Sequence, residues 1–501
     1  MSLLIKNVQI LGAPREFAGG VDVFVSGDTI SAIGNFPDKR ADQVFDGQGA
    51  YLAPGFIDVN TDSDHYLSIF DNPAQIDFLR QGVTTIIGGQ CGSSLAPLLY
   101  GSLESIQKWT DVSKVNVGWH TLEELLKILE KKPLGVNFGT FVGHSTIRRA
   151  LIGESLRDLT KNELIVFTET LKRTFLEGAM GFSTGLGYVH SRETPYNEIK
   201  SLAQATKNFQ GVYSTHLRKS GKELNESVDE TIRISQETGV SVMINHFMPL
   251  LGAETEYEDA LDSIQALSRE SDFHFNLYPF ETSVLPLYTF LPTWAQNGGM
   301  EVMVSNVMDS WLKERIIKDL PKINPADFVV AYTIGNDALI GQSLADLMNF
   351  YYIKDSREAL IKLMQTTRLR ASILYKNINA GLIRKGILHP RSMISSNAAS
   401  LPLTRHAEQP ERASATFSKF IKLAEVENIM PLKAAIQKIT LEPARKFKLQ
   451  KRGEIREGFF ADLVCFKNGE IKCTVVNGHL AFKNNESQEV LAGRPLKHHG
   501  Y

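Results

Sequence analysis

Three side chains in this 501-residue chain have the chemistry of a transition-metal site: the thiol of Cys91 and the imidazoles of His216 and His246. Each stands at the C-terminal end of an apolar, β-type run, in Gly88-Gly-Gln-Cys-Gly92, Ser214-Thr-His216 and Ile244-Asn-His246. A thiolate and two imidazoles form a three-ligand set that leaves the fourth position of a zinc ion open for water, as catalytic zinc requires. Taken singly, each has a plainer reading. A strand-end histidine is commonly a hydrogen-bonded structural residue, and a lone cysteine a small buried hydrophobe. The three together, on strand ends that share one rim, favour the metal. His144 is a fourth candidate, but Ser145-Thr146 beside it could cap a helix, so its expected role is structural or a hydrogen bond behind the ligands. His65 and His190 fall in loops and read as solvated or substrate-facing, and Cys465 and Cys473 read as core residues of strands.

Strand ends that share a rim require a particular frame. Eight apolar runs, at about 52–59, 83–89, 136–142, 179–184, 211–216, 240–246, 273–278 and 392–396, alternate with helix-like segments. Thr121-Leu-Glu-Glu124 and Thr160-Lys-Asn-Glu163 have capping-box spacing, and Gly178 stands where a C-capping glycine would end the second helix. Eight such units predict an α/β chain with a (β/α)8, TIM-like barrel, whose reacting groups lie at the C-terminal strand ends. The first ~50 and last ~55 residues instead alternate apolar and polar positions between turn residues, which reads as short strands. The expected domains are a β-sandwich built from both termini (1–52 plus 445–501) and the barrel (53–444). The stretch 281–367 is too long for an ordinary connection. With Pro286, Pro292, Trp294, Gly298 and Gly299, then helical material near 309–320 and 342–363, it is expected to be an inserted lid between strands seven and eight.

Composition narrows the partners. Lys and Arg number 54 against 56 Asp and Glu, a net charge of −2, and 43% of residues are hydrophobic. That balance excludes nucleic acid or an anionic membrane held by bulk charge, and the apolar share excludes compositional disorder. Three cysteines make no disulfide framework, and the N-terminus has neither the basic region nor the apolar core of a signal peptide. The run 81–103 is broken by Gly, Ser, Thr and Gln, so it is no membrane span. A cytoplasmic protein is expected, acting on a small molecule, with its oligomeric state open.

The sequence resembles the D-aminoacylase (N-acyl-D-amino-acid deacylase) branch of the amidohydrolase superfamily. The resemblance rests on Ala53-Pro-Gly-Phe-Ile-Asp58, Gln81-Gly-Val-Thr-Thr85, Gly89-Gln-Cys-Gly92 with Leu95-Ala-Pro97, and Val142-Gly-His-Ser-Thr146. It continues through Gly178-Ala-Met-Gly-Phe-Ser-Thr184, Tyr213-Ser-Thr-His216, Asn245-His246, Pro443-Ala-Arg-Lys446 and the stretch 452–463. It implies the barrel-plus-sandwich fold and a zinc ion on Cys91, His216 and His246, with a water activated by that zinc attacking the amide of an N-acyl-D-amino acid. It also implies that Arg412 grips the substrate carboxylate and that Tyr278 and Ser283 lie near the substrate. Tyr288, Phe290, Pro292 and Trp294 are candidates for an apolar wall, with ordinary lid packing as the plainer reading.

The sequence departs from that pattern at three places. The superfamily's His-x-His on strand one is Asn60-Thr61-Asp62, its strand-eight Asp, the general base, is Asn397, and a Lys that follows the strand-six His in close relatives is absent before Phe247-Met248. An amide has no useful basicity at neutral pH. Either the carboxylate has moved to Asp62, which is the favoured reading, or the chain is an impaired metal- or ligand-binding pseudoenzyme. Asp64 is a substitute for Asp62 if its loop turns inward. Loss of His-x-His argues for one zinc per chain; a second ion on Asp62, Asn60 and Cys91 is the weaker reading. A cyclic-amide hydrolase of the dihydropyrimidinase type is disfavoured, because Cys91 stands where such enzymes use a lysine.

Overall fold

The computed structural model describes residues 1–11, 20–100, 103–112, 115–402 and 407–498. Eight parallel strands alternate with helices: Phe56–Asp58, Val83–Gly88, Asn137–Thr140, Gly181–Gly185, Val212–His216, Ser241–Ile244, Phe273–Leu277 and Ser392–Ile394. The first three pair in order. The third breaks at Phe141 and resumes as Val142–Gly143, which pairs with the fourth, and the ladder then runs in chain order to the eighth. Strand eight meets strand one through the rim, where Asn397 N–H donates to Asn60 O and Asp62 N–H to Ala398 O, both at 2.9 Å. The result is the (β/α)8 barrel expected of eight buried apolar runs. Thr121 with Glu124, and Thr160 with Glu163, form reciprocal capping boxes on Leu122–Lys131 and Lys161–Glu177, and the latter helix ends on Gly178 at φ 113°.

The seam between strands eight and one carries a buried acid. Ser396 N–H donates to both oxygens of Asp58 at 3.1 Å, and Asn60 N–H donates to Oδ1 at 3.2 Å. Burial nevertheless pushes the Asp58 carboxyl up to about 7. The folded protein therefore keeps a proton that the unfolded chain releases near pH 4. This contribution to stability is full below about pH 4 and is lost as pH rises towards about 7, by at most about 1.4 kcal/mol per pH unit. Asp58→Asn removes that slope. Measured by urea unfolding, the variant's stability relative to the parent should rise between pH 5 and pH 7; a difference that stays constant would refute the assignment.

Both ends of the chain build the second domain. Ser2–Ile10, Val21–Ser26, Thr29–Gly34 and Gln43–Pro54 join Leu463–Lys467, Glu470–Val476, His479–Lys483 and Glu486–Ser487 in one continuous eight-stranded sheet. Gln43–Pro54 lies at its centre, parallel to Ser2–Ile10 and antiparallel to Leu463–Lys467. Leu3, Ile5, Val23 and Leu52 share an apolar cluster with Leu463, Cys465, Cys473 and Val475, so neither terminus has a core without the other. Cys465 and Cys473 face each other across two strands, buried.

Between strands seven and eight lies the inserted lid. It contains a three-stranded antiparallel sheet, Thr282–Pro286 and Phe328–Thr333 on either side of Ala371–Lys376. The helices Gly299–Met308, Ser310–Asp319, Leu344–Phe350 and Ser356–Thr367 surround a separate core that includes Leu287, Phe328, Leu344, Leu360 and Ile373. No helix among the described residues is long and apolar enough to cross a membrane.

Candidate metal centre

Cys91, His216 and His246 come together on the C-terminal rim. One donor atom from each lies within 4.8 Å of the others, and Cys91 Sγ is 3.4 Å from His246 Nε2. Zinc–sulfur and zinc–nitrogen bonds of ordinary length at a tetrahedral angle place S and N about 3.6 Å apart. The two imidazoles meet edge to face at 4.5 Å, and Nδ1 of His216 is buried with no hydrogen-bond partner among the described residues. Burial holds His246 down to about 4, and burial followed by the neighbouring His246 and Lys108 holds His216 well below the usual histidine range. Both rings are therefore neutral, with a lone pair to give. Burial, joined by the Asp62 charge, pushes the Cys91 thiol far up. A dication among these atoms is the charge that would release the thiol proton. The donor set fits zinc.

Local backbone explains how the thiol reaches that point. Cys91, His246 and Asn397 all adopt positive φ, at 53°, 37° and 46°. Such conformations are uncommon for residues with a Cβ and concentrate where a site dictates direction. The Cys91 loop is clamped by glycines: a Cβ on Gly185 would sit 2.2 Å from Cys91 O, and one on Gly92 would sit 2.6 Å from Gly185 N. Gly185→Ala should cost about 1–3 kcal/mol through overpacking and should lose bound zinc although no ligand is removed. Zinc retained at the parent stoichiometry in a folded variant would show that the loop position is unimportant.

Below Cys91, His216 and His246 the barrel is floored with amides that sequence reasoning missed. Asn276 Oδ1 accepts from His246 N–H at 2.9 Å and from Ser395 Oγ at 2.8 Å. Asn276 Nδ2 donates to Asn245 Oδ1, and Asn245 Nδ2 donates to Gln90 Oε1. Asn60 joins this floor. Its Nδ2 reaches Asn397 Oδ1 at 3.3 Å and Asn276 Oδ1 at 3.4 Å. Asn60 and Asn397 thus bond to each other, both of them neutral amides.

Asp62 lines a cavity of about 510 Å³ together with Cys91, His216, His246 and Asn397. Asp64 does not. It is fully buried, accepting from Gly89 N–H at 2.6 Å behind the Gly88 backbone. His65, expected to be solvated or substrate-facing, is fully buried and stacked on Trp109 at 4.4 Å. Its Nδ1 meets Asp62 Oδ1 at 3.1 Å and its Nε2 meets Ser93 O at 3.0 Å. Two acceptors call for two ring protons. Although burial opposes it, Asp64 and Asp62 raise the His65 pKa, and the ring holds Asp62 in place. His190, also expected to be solvated or substrate-facing, is buried against Arg149 and Ser145.

The remaining candidates divide. Arg412 is buried, stacked over Tyr278 at 4.6 Å. Its guanidinium donates to the carbonyls of Ser396, Asn397 and Thr282. These bonds occupy three of its five N–H groups. Arg412, Tyr278 and Ser283 all line the same cavity as Cys91, His216 and His246, and Ser283 Oγ donates to Asn377 at 2.7 Å. Phe290 lines it too, whereas Trp294 bonds Asp319 and stacks with Arg315 in the lid. His144 turns away from the cluster, its Nε2 on Glu198 at 2.8 Å between Phe167 and Phe182.

The Amidohydrolase family model matches residues 355–481. A D-aminoacylase of Alcaligenes xylosoxydans xylosoxydans is 27% identical over 484 residues, 95% of this chain and 90% of that protein. A crystal structure of a D-aminoacylase superposes with a TM-score of 0.80 at 24% identity over 99% of both chains. An N-acyl-D-glutamate deacylase from Bordetella bronchiseptica, complexed with zinc and a phosphonate inhibitor, gives 0.80 at 21% identity over 99% of both. The two structures establish the fold. The chain is thus similar, along nearly its whole length and on a shared fold, to D-aminoacylase and an N-acyl-D-glutamate deacylase.

Proposed function

We propose that this protein is a zinc-dependent amidohydrolase that deacylates N-acyl-D-amino acids, with one zinc held by Cys91, His216 and His246. The observation that carries this reading is the meeting of three donor atoms within 4.8 Å on the wall of a cavity large enough for a small acylated amine. Bound there, zinc supplies Lewis acidity, lowering the pKa of water towards neutrality and polarising the amide carbonyl. The chain does the rest. Asp62, with one oxygen fixed by His65, takes the proton of the attacking water on its other oxygen and returns it to the leaving nitrogen. Arg412, held over Tyr278, offers its remaining N–H groups to the substrate carboxylate. Phe290 and the lid strand Thr282–Pro286 wall off solvent. The cytoplasm is the compartment expected for a chain whose three cysteines are free.

The amide at Asn397 favours a second reading, a binding protein without turnover. One experiment separates the two: zinc content per chain, measured beside hydrolysis of a panel of N-acetyl-D- and N-acetyl-L-amino acids. The proposal expects about one zinc and turnover of D-forms; full zinc with no turnover of any member would establish the binding protein.

A further inference from the structure

The cavity lined by Cys91, His216 and His246 is polar on one side and apolar on the other. On the polar side Arg412 stacks over Tyr278 and donates to the carbonyls of Asn397 and Thr282, with Ser283 and Asn377 bonded to each other beside it. These groups stand on or after strands seven and eight. Leu217, directly after His216, begins a different wall in the loop that follows strand five, three places along the ladder from strand eight. Leu224 and Met248 continue it from the barrel's core, and Phe290 and Ile323 line the same cavity from the lid's. The apolar side therefore lies where the two cores meet. The charges on it are already matched: Arg218 pairs with Glu230 at 2.8 Å and Lys219 with Glu226 at 2.9 Å.

An N-acyl-D-amino acid is divided in the same way. Its carboxylate sits on the amine side of the scissile bond, and its acyl chain leaves on the other. With the carboxylate on Arg412 and the carbonyl at the three donor atoms, the acyl chain runs away from Arg412, along the wall that Leu217 begins. At about 510 Å³ the cavity falls within the range of about 300–1,000 Å³ that encloses drug-sized ligands, and N-acetyl-D-alanine leaves much of it unfilled. We infer that this wall is an acyl-chain subsite, and that the preferred substrates are D-amino acids carrying a medium-length aliphatic acyl group, of about six to eight carbons, in place of acetyl. The inference rests on the deacylase reading above. Each methylene moved from water onto the wall favours binding by about 4-fold. Contacts made that far from the scissile bond are also available to raise kcat.

The test uses zinc-loaded protein and N-acyl-D-alanines bearing acetyl, butanoyl, hexanoyl and octanoyl groups. From acetyl to hexanoyl, kcat/KM should rise by about 10²-fold. N-acetyl-D-leucine beside N-acetyl-D-alanine is the control for the side chain, and its gain should stay below about 10-fold. A flat or falling acyl series overturns the inference, as does a gain that follows the side chain instead. Leu224→Phe narrows the wall from the barrel and Ile323→Asn makes it polar from the lid; each should lower the octanoyl-to-acetyl ratio of kcat/KM by about 10-fold. Folded variants that both keep the parent's ratio overturn the inference, and the parent's own series decides whether or not they fold. If the parent hydrolyses none of these compounds, the deacylase reading falls. Calorimetric titration then decides the subsite alone: N-octanoyl-D-alanine binding at least about 10-fold more tightly than N-acetyl-D-alanine supports it, and equal Kd values, or no binding by either, overturn it.

Discussion

Cys91→Ala should reduce bound zinc from about one per chain to a trace and lower turnover by at least about 10³-fold, since an ion that polarises the substrate is worth several kcal/mol at 1.36 kcal/mol per tenfold. The loss should be in kcat, and added zinc should recover little, because two neutral imidazoles hold zinc far less firmly than the same pair with a thiolate. Metal analysis on gel-filtered protein, run beside circular dichroism, checks both halves. A folded variant that keeps its zinc, or one that loses zinc and still turns over, would end the case for this centre.

Asp62→Asn should lower kcat by about 10²–10⁴-fold, the range associated with loss of a general acid–base group, and leave zinc content unchanged. The geometry gives the reason for choosing Asp62 over Asp64: Asp62 opens on the cavity, while Asp64 is shut behind the Gly88 backbone. Asn397→Asp is the complementary experiment. Asn397 Oδ1 already accepts from Asn60 Nδ2, so a carboxylate fits the same bond and should fold. If the proton-accepting role has moved to Asp62, Asn397→Asp brings no gain in rate. A large gain would mean that the site has decayed and been repaired by the substitution.

How far the sequence discloses this molecule depends on how local each signal is. The eight barrel strands were legible because each is a short apolar run, and the helix starts because Thr121–Glu124 and Thr160–Glu163 are self-contained four-residue patterns. The meeting of Cys91, His216 and His246 was legible because a barrel gathers its strand ends whatever their separation along the chain. The lid's sheet was not, since Thr282–Pro286 pairs with Ala371–Lys376 far downstream and carries a proline. The amide floor was hidden for the same reason: Gln90, Asn245 and Asn276 are ordinary polar residues until the barrel closes. His65 misled in a particular way. It sits in a loop that reads as solvated or substrate-facing, and only the folding of Trp109 over it takes it out of water.

The central position of Gln43–Pro54 in the terminal sheet has a consequence for biosynthesis. One side of that strand finds its mate at once in Ser2–Ile10, but the other waits for Leu463–Lys467. At about 5–20 residues per second, the ribosome needs roughly 20–80 s to deliver that mate. Throughout that interval a nascent polypeptide displays a long row of unsatisfied amides and carbonyls, the template that invites neighbouring chains to pair. Messages cut short before codon 463 should therefore yield inclusion bodies rather than a soluble barrel.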